Sequence, residues 1–593
     1  MPPTLSRRTV LAGAAAIGAG LAVGSTSPGR QALAAEQQRA ALAAEQQFDA
    51  VVVGCGAAGM TAALRLARRG VSVLVVEKAS TFGGSAARSG AGIWIPNNEV
   101  ILAAGVPDTP ASASAYLAAV VGGDVPTAKQ QAFLDNGPQM ISFVQANSPL
   151  RFRYMADYPD YYPELPGGMP QGRSIEPDLF DGNLLGPELA NLNPAYMPTP
   201  PGMTVFTTDY RWLVLALVNV HGTAVAAECA ARYASAVLHG RAPLTMGQAL
   251  AGALRAGLAT AGVPVWLNTP FQDFQFDGQG RVTGVVVNRD GSPTVIQASR
   301  GVIVAAGGFE HNLAMRLAYQ RKPIGTDWTV GAAANMGDGI QAGLRAGAAT
   351  DFLDDAWWGP AIPLPGEPYF CLAERTLPGC ILVNSAGSRF VNEAAPYSDV
   401  VHVMYDKNGA TPDIPAWLVF DQNYRNRYLF RDVPPVLPFP DSWYDAGAVF
   451  RNPTLDGLAR EIGVPADALC ATVARFNRYA LAGSDPDFHR GDSAYDHYYT
   501  DPSVHPNSCL APLWLPPFYA CKIVPGDLGT KGGLRTDARS RVLRADGTVV
   551  AGLYAAGNSS AAVMGHSYAG AGATIGPAMT FGYIAANDIA DHS

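Results

Sequence analysis

Charge is scarce in this chain. Asp, Glu, Lys and Arg make up 15% of its 593 residues against 48% hydrophobic ones, the balance of a globular protein rather than a disordered one. A basic excess is missing as well: 41 Lys and Arg face 49 Asp and Glu, a net charge of −8. With no basic stripe to neutralise phosphates, nucleic acid is excluded as the main partner. Cysteines are few, seven in all, and they form no CxxC pair. That leaves neither a zinc site nor a dense disulfide framework, and between Cys371 and Cys380 both a bridge and two free thiols stay open.

Glycine and proline are plentiful instead, 64 and 46 residues, which fits tight turns and close approaches of backbone to a ligand. The length exceeds one compact core and predicts two domains with an insertion. Residues 1–34 read as an address rather than as structure. Ser6-Arg7-Arg8-Thr9-Val10-Leu11 is a twin-arginine pattern, a weakly hydrophobic Gly/Ala-rich stretch follows, and Ala32-Leu33-Ala34 offers a cleavage site. Export by the twin-arginine route, to a periplasmic or membrane-associated location, suits a protein that binds its cofactor before it travels. A leader that does not function leaves the protein in the cytoplasm.

The run FDAVVV at 48–53 is a buried strand, followed at once by Gly54-Cys55-Gly56-Ala57-Ala58-Gly59. An Ala/Leu helix continues to Arg69, and VSVLVV at 71–76 is a second strand ending in Glu77. That is a βαβ dinucleotide unit: Gly54 makes the turn, Gly56 admits the pyrophosphate, Gly59 lets helix and strand pack. The helix N-terminus faces phosphates with unpaired N–H groups. Glu77, 18 residues after Gly59, is placed to accept from ribose hydroxyls beside Lys78.

A second glycine-rich segment decides between NAD and FAD. Phe82-Gly83-Gly84-Ser85 and Ser89-Gly90-Ala91-Gly92 run on past the first ribose, where a flavin needs backbone and a simple NAD domain needs nothing. Residues 301–308, with Ala306 and Gly307 at the end, predict another dinucleotide-side strand, and 552–558, ending in Gly557-Asn558, a third. Thr574-Ile575 opens a final helix whose N-terminus suits the flavin pyrimidine. The fold class is therefore α/β: a Rossmann-type FAD-binding domain built from both chain ends, at 48–357 and 517–593. An inserted α+β catalytic domain fills 358–516, where aromatics and prolines replace βαβ signals. Residues 184–240 form an extra insert, and its apolar run 210–218 falls short of the roughly 18 residues that span a bilayer. That run reads as a buried core helix, with peripheral membrane contact as the competing reading.

Five segments carry a family resemblance: FGGSAARSGAGIWIP at 82–96, YPDYYPE at 158–164, RFVNEAAPY at 389–397, DLGTKGGL at 527–534 and GHSYAGAGATIGPAMTFGY at 565–583. On these the chain resembles the 3-ketosteroid Δ1-dehydrogenases, within the wider fumarate-reductase-like FAD flavoproteins. The resemblance implies FAD-dependent 1,2-dehydrogenation of a 3-ketosteroid, with or without a C17 side chain, in sterol catabolism, and an electron acceptor such as a quinone. It implies Tyr397 as the base that takes the C2 proton, Tyr161 as its support, and Tyr568 with the Gly572 amide as holders of the C3 carbonyl. The related Δ4-dehydrogenases carry a serine two residues after the carbonyl-side tyrosine; this chain has Gly570 there.

The chemistry stands beside the resemblance. A C–H next to a ketone is removable only if the enolate oxygen is stabilised as charge develops, and a hydroxyl with a backbone N–H is a minimal oxyanion hole. A lone tyrosine is far more often a packed aromatic than a base. Other candidates carry less: His566 reads as structural, and Asp354 and Asp355 do not share one helix face. Arg375 and Arg389 could serve a fumarate-reductase-like site, but the surroundings of Trp357, Trp358, Tyr369 and Phe370 suit a flat hydrophobic substrate. A non-catalytic flavin electron carrier is the distant alternative.

Overall fold

The computed structural model describes residues 46–197 and 199–592, so the twin-arginine pattern lies outside the described residues. The valine-rich run after Phe48 becomes the strand Gln46–Val53, buried to its end. It is the centre of an eight-stranded sheet. Val73–Val76 lies parallel on one side and Ser292–Val304 on the other, with Val53 opposite both Val76 and Val304. Val549–Ala555 adds a further parallel strand beyond Ser292–Val304. Continuous Val and Ile runs suit such strands, because a parallel sheet is covered on both faces. The helix Ala57–Arg68 lies between the first two strands, and the final helix Ile575–Asp591 packs against it. Arg65 Nε donates to Asn587 Oδ1 at 2.7 Å across that junction. The two ends of the chain thus build one layer, as the glycine-terminated strands predicted.

A second sheet is antiparallel: Tyr369–Phe370, Ala356–Ile362, Phe518–Thr530, Ala416–Asp421 and Cys380–Val383, in that order. The helix Tyr397–Lys407 packs on Ala356–Ile362. Phe518–Thr530 joins this sheet although it lies beyond the boundary expected at 516. Its residues are nearly all buried, and a long buried strand carries no local sign of which sheet it enters. A small sheet of Ile93–Trp94, Ser174–Pro177 and Phe152–Tyr154 ties the glycine-rich loop to the YPDYYPE segment.

The apolar run 210–218 is not one helix. Thr207–Leu213 is a short helix, turns follow, and Asn219 caps a new helix Val220–Leu238 by accepting from His221 N and Gly222 N. Val214 and Leu215 are buried, but Leu217 is 70% exposed, Val220 89% and Leu238 85%. The large exposed apolar side chains therefore flank the new helix, with Leu217 and Val220 at its start and Tyr233, Val237 and Leu238 at its end. Among the described residues no helix is long and apolar enough to cross a membrane. Cys371 and Cys380 are both free and buried.

Candidate active site

The strand ends open onto a cavity of about 910 Å³. Gly54 has φ +107°, and a Cβ there would collide with the Ala305 carbonyl, while one at Gly59 would strike the Gly54 carbonyl. Gly56 differs: a Cβ there meets nothing within 4 Å, because it faces the cavity. The helix that follows has no side-chain cap and no acid in its first turn, which leaves its N–H groups for an anion. Glu77 lines the cavity too, its carboxylate accepting from Cys55 N at 2.8 Å and Ala79 N at 2.9 Å. Burial pushes its pKa up, against those two backbone hydrogen bonds. Lys78 is held by an ion pair with Asp338.

The later loops close around the same space. Ser85 Oγ accepts from Ala332 N at 2.9 Å and Asn335 Nδ2 at 3.1 Å, and Thr207 donates to the Gly90 carbonyl. Of the residues predicted to bind the cofactor, all but Gly59 line the cavity, from Gly54 through Gly84 and Gly92 to Ala306, Gly557 and Ile575. The final helix begins there without a side-chain cap or first-turn acid. Two helix N-termini, an open Gly56 and a carboxylate at the second strand end fit an adenine dinucleotide. Asn335 carried no local motif and was not predicted from the sequence.

Three tyrosines meet on the wall of this cavity. Tyr161 donates to the Tyr397 hydroxyl at 2.9 Å, and the Tyr568 ring lies 5.3 Å from that of Tyr397 and 5.2 Å from that of Tyr161. Each comes from a different element. Tyr397 opens the helix Tyr397–Lys407 after Pro396. Tyr161 sits in a loop pinned by its neighbours: Tyr161 N donates to Ala569 O at 3.0 Å, and buried Asp160 accepts from Trp94 Nε1 at 2.8 Å. Asp160 also pairs with Arg173, which in turn pairs with Asp108 at 2.9 Å. Burial pushes Asp160 up to about 6, against the pull of Arg173. Behind Tyr568, Trp357 stands edge-on at 5.0 Å and donates to Asn558 Oδ1 at 3.0 Å.

Burial holds all three phenols well above the ordinary tyrosine pKa; at Tyr397 the nearby Tyr568 and Tyr158 add to it and the hydrogen bond from Tyr161 opposes it. Phenols this close share at most one negative charge between them. Gly572 also lines the cavity, with φ +94°, and a Cβ would run into the Gly92 backbone. Its glycine is thus required by chain packing, not only by ligand approach. Tyr158 and Tyr499 extend the aromatic wall: Tyr158 lies in the same motif as Tyr161, but nothing in the sequence distinguished it. Tyr369 and Phe370 line the cavity as well, whereas Trp358 is buried away from it, bonded to Asp355.

The remaining candidates are placed elsewhere. Arg389 is saturated by Glu393 and Asp485, and Arg375 donates to the Glu393 and Ala395 carbonyls. Neither lines the cavity, so neither is available to clamp a dicarboxylate there. His566 pairs with Asp124 at 2.9 Å near the surface. Asp355 is buried against Lys531, His402 and Trp358, and Asp354 is exposed.

Known flavoproteins share this sequence and fold. The family model described as FAD binding domain matches residues 49–575. The chain is 53% identical over 557 residues to a 3-oxosteroid 1-dehydrogenase of Mycobacterium tuberculosis, covering 92% of this chain and 99% of that one. It superposes with a TM-score of 0.88 and 42% identity on the 3-ketosteroid delta1-dehydrogenase of Sterolibacterium denitrificans, solved with 1,4-androstadiene-3,17-dione, over 92% of this chain and 100% of that one. The 3-ketosteroid-delta4-(5alpha)-dehydrogenase of Rhodococcus jostii shares the fold, with a TM-score of 0.62 and 21% identity over 92% of this chain and 97% of that one.

Proposed function

Because this chain belongs to the FAD-dependent 3-oxosteroid 1-dehydrogenases, we propose that Tyr397, Tyr161, Tyr568 and Gly572 carry its reaction, the introduction of a 1,2 double bond into a 3-ketosteroid. The observation that carries the assignment is the Tyr161–Tyr397 hydrogen bond beside Tyr568 on the wall of the cofactor cavity. FAD, when bound, accepts the hydride from C1. Tyr397 as tyrosinate takes the C2 proton. Tyr568 and the Gly572 N–H donate to the C3 oxygen, where negative charge develops. Holding a phenol of ordinary pKa ionised at pH 7–8 costs about 3–4 kcal/mol, and the hydrogen bond from Tyr161 offsets part of it.

The 1,2 position is favoured over the 4,5 position by Gly570. A Cβ there would lie 2.5 Å from Trp94 Cδ1, so the serine of the Δ4 relatives has no room. A fumarate-reductase-like reaction is disfavoured by the saturated Arg389. The deciding experiment is turnover of androst-4-ene-3,17-dione with an artificial electron acceptor by the purified FAD-loaded protein. A 1,4-diene product supports the reading. FAD binding with no turnover of this steroid ends it, as does 4,5-desaturation of a 5α-steroid or reduction of fumarate when those are offered in its place.

Three further readings concern the setting: steroid or sterol degradation as the purpose, a quinone as the acceptor, and export through the leader. Replacing Arg7 and Arg8 with lysine leaves the precursor in the cytoplasm if the twin-arginine reading is right; cell fractionation checks it, and continued appearance outside the inner membrane refutes it.

The exposed apolar side chains at the start of this helix, Leu217 and Val220, and at its end, Val237 and Leu238, suit a lipid surface, since the substrate itself partitions into lipid and Tyr210, shortly before them, lines the cavity. Changing Leu217, Val220 and Leu238 to serine lowers co-sedimentation with anionic phospholipid vesicles several-fold and slows turnover of vesicle-borne steroid. Wild-type protein that stays in the supernatant while the vesicles sediment would disprove the contact.

A further inference from the structure

Glu310 is fully buried, does not line the cavity and takes no part in the chemistry above. Among the described residues its side chain accepts from Asn335 Nδ2 at 2.6 Å and from Thr530 N at 3.4 Å. Gly331 packs closely on the carboxylate, where a Cβ would collide with Oε1, and a Cβ on Gly307 would enter the Asn335 amide. Asn335 does line the cavity, as does Ser85, to which it also donates.

Donors and acceptors can be counted along this chain of three side chains. Burial, with Asp527 adding to it, pushes the Glu310 pKa up to about 7, so above neutrality it is a carboxylate and can only accept. The Asn335 atom that faces it is therefore the amide nitrogen, and the second hydrogen of that nitrogen goes to Ser85 Oγ at 3.1 Å. Ser85 Oγ accepts from Ala332 N as well, at 2.9 Å. Both of its lone pairs are then in use, and its single hydrogen has no acceptor among the described residues. That hydrogen is left for whatever fills the cavity.

Ser85 stands beside the glycine turn. Gly83 N donates to the Cys55 carbonyl at 2.8 Å, and a Cβ on Gly84 would lie 3.7 Å from Gly56 Cα, where the backbone is open. A pyrophosphate approaches through such an opening. An anion there needs donors, whereas a carboxylate facing it directly would repel it. The Asn335 amide stands between the two: it meets the carboxylate on one side and makes a donor of the serine on the other.

We propose that Glu310 and Asn335 are positioning residues of the cofactor site, which commit the Ser85 hydroxyl to donate to an anionic oxygen of the FAD pyrophosphate. This role depends on FAD binding alone, not on the steroid reaction.

Dilution of the FAD-loaded protein at pH 8, with released flavin followed by its fluorescence, tests it. Ser85→Ala raises the FAD dissociation constant about tenfold or more, the worth of a hydrogen bond to a charged group. Asn335→Asp presents only acceptors, so it draws the Ser85 hydrogen inward and raises the constant about tenfold too. In the Ser85→Ala background the same change adds about threefold at most, because the hydroxyl through which it acts is gone. Glu310→Met, which removes the acceptor, loosens FAD severalfold and only while Ser85 is present; Glu310→Gln, whose carbonyl can accept from Asn335, restores the wild-type constant. A Ser85→Ala constant within about threefold of wild type overturns the proposal, since loss of a charge-assisted bond exceeds that. So does an equal effect of Asn335→Asp or Glu310→Met with and without the hydroxyl, which would mean that these residues touch the cofactor themselves or act through the fold.

Discussion

Tyr397→Phe lowers steroid turnover by at least ~10²-fold, the lower worth of a positioned general base, and leaves FAD bound. The ring is nearly buried, with Tyr161, Tyr568 and Phe370 edge-on around it at 5.5, 5.3 and 5.2 Å. Phenylalanine keeps every one of those contacts, so the variant removes an acid–base group and little else. Its main structural cost is the loss of the acceptor for the Tyr161 hydroxyl. Flavin content, melting temperature and substrate affinity within a few-fold of wild type check that the fold is intact. Anaerobic flavin reduction at a near wild-type rate in this variant would sink the assignment. The wild-type pH profile carries the same information. A base whose pKa burial has raised is ionised only at the alkaline end, so kcat/KM climbs with pH across the neutral range. Tyr161→Phe moves that limb to higher pH, because the hydrogen bond that opposes the rise is gone.

Tyr568→Phe lowers turnover by about 10²–10³-fold, the measured worth of one oxyanion-hole donor, but by a different route. The base remains; what is lost is one of two donors to the oxygen on which charge develops. Exchange of the C2 hydrogen with solvent deuterium separates the two variants from a generic loss of fit. Exchange needs both the base and the oxyanion donors, but not completion of hydride transfer, so both variants suppress it. A Tyr568→Phe protein that exchanges C2 at the wild-type rate while failing to form product would show that the hydroxyl acts elsewhere. Trp357 makes the same point from behind: it touches Tyr568 edge-on and is anchored to Asn558, so it positions the donor without touching substrate.

Local order in the sequence made the cofactor half legible. Val51 to Val53, Gly54, Gly56 and Glu77 follow one another within a single βαβ unit, and each has its job set by neighbours a few residues away. The tyrosines were legible only through their motifs, since one phenol among 23 carries no signature of its own. What the sequence hid is what depends on distant pairing. Phe518–Thr530 shows its burial but not its sheet, and it went to the wrong side of a boundary. The 210–218 run shows its hydrophobicity but not the turn at Val214, which buries Val214 and Leu215 and leaves Leu217 exposed. Trp94 and Gly570 lie 476 positions apart, yet their contact decides which side chains fit beside Tyr568.

The helices Ala57–Arg68 and Ile575–Asp591 lie side by side, with Arg65 bonded to Asn587 across 522 residues. Such a closure has consequences for how the molecule comes into being. A ribosome delivers the glycine turn and its helix early, but the floor of the cleft arrives with the final segment, Ile575–Asp591. Until then the nascent half-site has apolar faces without a cover and phosphate-binding amides without the wall opposite. Long-range closure of this kind is slow, since the chain must bring its ends together before any contact rewards it. Cofactor that binds only the closed form then draws the whole equilibrium toward it, by about 2.7 kcal/mol at a hundredfold excess over its dissociation constant. Protein without FAD is therefore expected to yield to protease faster than the loaded form.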